Sequence, residues 1–263
     1  MLRLLDARTG RYAEVRPARP GLLRVGAYLP PDDDQPGWTG VRVLLIADLL
    51  ARVAELRGLQ AVTAALFAGE PPAGQNGAER AAASLGIHPA AARASADRAG
   101  SVLGGPADAQ ITGPEGGTSG PDGPVVRAGA VHWHATAAGG DTPAASTTPA
   151  SDPLAIRFAL LSRPHDQPAV LSDAALAEAG RTVTRWHGRV AAWAESPSRP
   201  MPASARAALD AAFSDLDTPR ALRVLADLEQ DADVPEGARF ETFAFADRVL
   251  GLELAREIGQ SRR

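Results

Sequence analysis

Two residue types are missing from this 263-residue chain: it has no cysteine, and all 27 of its basic residues are arginine. Without cysteine there are no disulfides, no thiolate zinc ligands and no cysteine nucleophile. Without lysine, any mechanism that needs an ammonium beside a phosphate is excluded, because the planar guanidinium is not an equivalent point charge. A GC-rich coding sequence is enough to account for a composition rich in arginine and alanine. The net charge of −4 disfavours a nucleic-acid partner, which normally meets a basic face. No run of about 18 apolar residues exists, since Asp48 and Arg52 interrupt the best candidate, so no membrane span is expected. Asp6 and Arg8 fall where a signal peptide needs its apolar core. The expectation is a cytoplasmic protein.

What is present is organised around residues 22–58. Leu23, Val25, Ala27 and Leu29 alternate as in a half-buried strand. Pro30, Pro31 and Pro36, with Asp32, Asp33 and Asp34 between them, break the pattern into a loop. Thr39 or Gly40 fits as N-cap of a helix that buries Ile46, Leu49, Leu50, Val53 and Leu56, and Gly58 fits its end. Strand, loop and helix in this order open a nucleotide-binding α/β domain.

Before this unit, residues 1–21 read as a short hairpin at a sheet edge, turning at Thr9-Gly10. After it, 59–67 reads as a second, parallel strand in a βαβ crossover. Residues 76–100 look helical around a turn. The stretches 104–130 and 135–151 are so rich in Gly, Pro, Ser, Thr and Ala that mobile loops are expected. Between them, Val131-His132-Trp133-His134 reads as a lone strand with one outward face; its two histidines share that face but lack a third ligand nearby. From Asp152 the chain is helical. Ser172 fits as the N-cap of a helix whose Leu176, Ala179, Val183, Trp186, Val190 and Trp193 recur every three or four residues, the pattern of a bundle seam. Thr218-Pro219 marks another helix start, and a final helix carries Phe240, Phe243, Leu250 and Leu254.

The stretch 22–58 resembles the opening of cysteinyl-tRNA synthetase and of its relative, the cysteine ligase of mycothiol synthesis. On that pattern Tyr28 falls where the family has a zinc-binding Cys, and Gly37-Trp38-Thr39-Gly40 falls on the HIGH tetrapeptide. Pro30 and Pro36 match prolines, and Arg42 and Asp48 match the following helix. Further along, Leu85-Gly86-Ile87-His88-Pro89 with Arg93-Ala94-Ser95 is similar to an LGI-x-P…RAT stretch, and residues 152–161 to a DPLALR-type helix. Asp215-Leu216-Asp217-Thr218-Pro219 resembles DDLNTP, and Val249-Leu250-Gly251-Leu252 a VLGL ending. The resemblance implies a reduced Rossmann-like (HUP-type) α/β domain over 1–150 and an antiparallel helical bundle over 151–263, without an anticodon-binding domain.

It also implies lost chemistry. Both histidines of HIGH are glycines here, Gly37 and Gly40; the KMSKS loop would fall near 136–146, where no basic residue occurs; and no thiolate exists to hold zinc. One transition-state contact is typically worth on the order of 2.7–4 kcal/mol, so losing several leaves little acceleration. The resemblance therefore implies a non-catalytic binding or partner subunit. The alternative is an ATP- and Mg-dependent ligase that forms an aminoacyl-adenylate with another amino acid, using Arg in place of Lys. Tyr28, Gly37, Trp38, Thr39, Gly40 and Arg42 are the cleft candidates for a small-molecule or nucleotide ligand. No metal site and no zinc are expected, and the expected partner is a second copy or an intact paralogue.

Overall fold

A computed structural model describes residues 2–31, 37–116, 123–134 and 152–259. The described chain forms two compact units. The first takes the residues up to 134 together with 165–173 and 214–216; the second takes 152–164, 174–213 and 217–259.

In the first unit, strands β1 (Arg3–Asp6) and β2 (Arg11–Glu14) pair antiparallel. Five parallel strands follow: β3 (Leu22–Tyr28), β4 (Gln60–Phe67), β5 (Ala92–Ser95), β6 (Ala109–Thr112) and β7 (Val125–Arg127), in the order β5-β4-β3-β6-β7. The hairpin lies beside the β7 edge: Ala7 N–H donates to the Val125 carbonyl at 2.7 Å. Strand β3 is buried on both faces, as a central parallel strand must be, with Leu23, Val25 and Ala27 at 0 % exposure on one face and Arg24 and Gly26 buried on the other. Helix α1 (Trp38–Leu56) links β3 to β4, and α2 (Gly77–Ser84) links β4 to β5. Asn76 caps α2 with a full capping box: its side chain accepts the Glu79 N–H while Glu79 accepts the Asn76 N–H.

From β5 the chain reverses and crosses to β6 through α3 (Ala99–Leu103). Right-handed crossovers in opposite directions place α1 and α2 on one face of the sheet and α3 on the other. Gly104, at φ 68, ends α3, and buried Arg24 satisfies its last carbonyls, Nε donating to Leu103 at 3.0 Å and Nη2 to Gly104 at 3.1 Å. A separate two-stranded parallel sheet joins β8 (Val131–His134) to β9 (Ala169–Ser172).

The second unit holds α4 (Pro153–Leu161), α5 (Asp173–Trp193, from its second residue), α6 (Ala203–Ser214, up to Phe213), α7 (Thr218–Gln230) and α8 (Glu236–Leu250). Asp152 caps α4, accepting the Leu154 N–H at 3.0 Å. The seam of α5 is buried at all six expected positions, and Trp186 meets Phe158 and Phe243 edge-on, at 5.5 and 5.3 Å. Glu229 on α7 lies beneath this cluster, accepting from Trp186 Nε1 at 2.9 Å and Arg185 Nε at 2.8 Å.

Several expectations need correction. Residues 109–112 and 125–127, expected as mobile loop, are sheet strands. Their burial between β3 and the hairpin outweighs their Gly- and Pro-rich surroundings. Residues 92–95, expected as helix, form β5, and β8 is a paired strand. The N-cap of α1 is Gly37, at φ 73, instead of Thr39 or Gly40. Asp217, not Thr218, caps α7, and Leu254 lies beyond α8. The Asp32–Asp34 turn, Pro36, and the stretches 136–146 and 135–151 lie outside the described residues.

Candidate functional site

The strand order reverses between β3 and β6, and ligands of open α/β sheets bind outside the carboxyl ends of the strands at such a switch point. Tyr28 and Thr112 end these two strands in register, and Arg127 ends β7 in register with Thr112. The start of α1 completes this end of the sheet.

The first turn of α1 is packed. Trp38 is buried and stacks on Trp133 of β8, with ring centroids 5.3 Å apart and planes 25° apart. Thr39 Oγ1 accepts the Val131 N–H at 3.1 Å, tying the helix start to the same strand. Gly40 faces α2, where an added Cβ would lie 2.9 Å from Ala78 Cβ. Arg42, at 1 % exposure, donates through Nη1 to the carbonyls of Gln167 at 2.5 Å and Gly129 at 3.3 Å. Burial pulls its guanidinium down to about 10, against the upward pull of Asp166. This arginine binds together the two segments that lead into β8 and β9. Gly129 permits their approach, since a Cβ there would overlap the Gln167 carbonyl.

Of the six cleft candidates, Trp38, Thr39, Gly40 and Arg42 therefore contact protein, Gly37 supplies a left-handed turn, and Tyr28 stands apart. The Tyr28 ring packs, half-buried, on the opposite face, against the cluster that includes Leu66, Ala99 and Leu103. Two neighbours in its row were not among the cleft candidates. Thr112 is fully buried, and its Oγ1 has no hydrogen-bond partner among the described residues; leaving such a group unpaired costs about 1–3 kcal/mol. Arg127 is exposed. Thr112 carried no signal beyond its place in a short apolar run, because strand register is not readable there.

His132 and His134 point outward on β8, and among the described residues no three His, Asp or Glu side chains gather as a metal-binding group. His88 Nδ1 lies 2.9 Å from Asp48, which also accepts from Arg52 Nε at 2.9 Å, so this histidine helps fasten a loop to α1. Among the described residues no helix is long and apolar enough to cross a membrane.

No protein-family model matches the chain. Over 83 residues it is 40% identical to the cysteine–tRNA ligases of two strains of Xylella fastidiosa. That match takes in 31% of this chain and 17% of the length of each of those curated relatives. A solved structure described as an arginyl-tRNA synthetase of Campylobacter jejuni aligns over 88% of this chain and 92% of its own, at 10% identity and a TM-score of 0.48. The chain is thus a parallel α/β sheet with further helices, similar in one 83-residue stretch to cysteine–tRNA ligase.

Proposed function

We propose that this chain is a non-catalytic, synthetase-like binding protein, acting as a ligand-binding or partner subunit in the cytoplasm. The observation that carries this reading is the packed first turn of α1. Trp38 is stacked on Trp133, the Thr39 hydroxyl is taken by a backbone N–H, Gly40 is pressed against Ala78, and Arg42 is buried among carbonyls. Adenylation needs donors and positive charge aimed at a phosphate as its charge develops. Of the four, only Arg42 carries positive charge, and it is engaged with backbone carbonyls. Lysine, the other source of such charge, is absent from the whole chain.

The test is amino-acid-dependent exchange of labelled pyrophosphate into ATP, run with cysteine and then across the other amino acids. Exchange at the level of a buffer blank is expected throughout. Exchange clearly above it with any amino acid would replace this reading with that of an adenylate-forming ligase using arginine.

A further inference from the structure

Tyr28, Thr112 and Arg127 stand side by side across the carboxyl ends of β3, β6 and β7. Register partners on parallel strands project to the same face, and neighbouring strands lie about 4.8 Å apart. The three side chains thus form one short row on the α3 face, opposite α1. Helix α3 packs over β3, β4 and β5 on this face.

The three members of the row are chemically complementary. Thr112 offers a buried hydroxyl with no hydrogen-bond partner among the described residues. Arg127 offers an exposed guanidinium with no ion pair or hydrogen bond among the described residues. Tyr28 offers a half-buried ring. A tight turn lies over Thr112: Gly116 N–H donates to the Gly113 carbonyl at 3.2 Å, and a Cβ at Gly116 would stand 2.9 Å from Thr112 Cβ.

We propose that this row binds a small oxyanion, a carboxylate or phosphate carried on an aromatic or apolar body. Arg127 pairs with the oxygens, since a guanidinium fork matches both groups. The Thr112 hydroxyl donates to the same anion once the 113–116 turn lifts. Tyr28 supports the body of the ligand. This inference rests on the non-catalytic reading, because it gives this end of the sheet a ligand to hold and no bond to make.

The experiment titrates the full chain with phenyl phosphate and with benzoate, using benzamide as the neutral control, by calorimetry and saturation-transfer NMR. At least one oxyanion should bind while benzamide does not, and the stronger of the two names the group. Arg127→Gln should weaken binding at least about tenfold. Thr112→Val should weaken it several-fold, whereas Thr112→Ser, which keeps the hydroxyl, should bind as the parent does and so separates lost packing from a lost hydrogen bond. No oxyanion binding, or binding indifferent to Arg127→Gln, would overturn the proposal. Full binding by Thr112→Val would remove the hydroxyl from the site. Pyrophosphate exchange would instead overturn the non-catalytic reading, so the two failures are distinct.

Discussion

An added Cβ on Gly40 would stand 2.9 Å from the Cβ of Ala78, so α1 and α2 touch where only a glycine fits. Gly40→His, which restores the residue type of the HIGH pattern, is expected to cost about 1–3 kcal/mol by overpacking. That is roughly 2–4 °C of melting temperature per kcal/mol for a chain of this size. Thermal unfolding followed by circular dichroism measures it; an unchanged midpoint would mean that α2 yields at no cost.

Thr39→Val should leave the Val131 N–H without its acceptor and lower stability by about 1–3 kcal/mol. Thr39→Ser should recover most of the loss. Urea denaturation gives the magnitudes. Hydrogen exchange gives the location, since the Val131 amide should lose protection in the valine variant and keep it in the serine variant.

Arg42→Met keeps much of the side-chain volume but leaves the carbonyls of Gly129 and Gln167 without their donor. A loss of about 2 kcal/mol or more is expected, because two buried acceptors are orphaned together. If Arg42 instead served a ligand, the variant would keep its stability and lose binding; denaturant midpoints decide between the two.

Glu229 makes the helical unit sensitive to acid. Burial pushes its carboxyl up, but the hydrogen bonds from Arg185 and Trp186 outweigh burial and hold it below the ordinary value of 4.5. A lowered folded value contributes stability that is present above pH 4.5 and lost as pH falls through the folded value. Glu229→Gln should therefore cost about 1.5–3 kcal/mol at pH 7. The gap between parent and variant should narrow steadily below pH 4.5, and a gap that stays constant down to pH 3 would contradict this account.

The parts legible in sequence were those whose signal is local. The β3–α1–β4 unit shows as alternation, a proline break and helical spacing, and the α5 seam shows as a three-and-four repeat that tertiary packing leaves intact. β6 and β7 were not legible. AQIT and VVR are three- and four-residue runs set among glycine and proline, and they become strands only because β3 and the hairpin enclose them. The same locality misled at the site. Arg42, a charge following a motif position, reads as ligand-facing, whereas its acceptors lie 87 and 125 residues further along the chain. Thr112 and Arg127 became neighbours only through register.

The α/β unit draws on distant parts of the chain: β9 pairs with β8, Gln167 receives Arg42, and Asp215 meets Arg3 at 2.9 Å. On a ribosome, the first two contacts cannot close until residue 172 has left the exit tunnel, and the third not until residue 215 has. The nascent first unit must wait, its β8 edge unpaired and Arg42 without Gln167, while α4 is made. Such late, long-range closure slows folding and lengthens the time during which a chaperone would find open strand edges. It also means that no single cut yields the α/β unit intact.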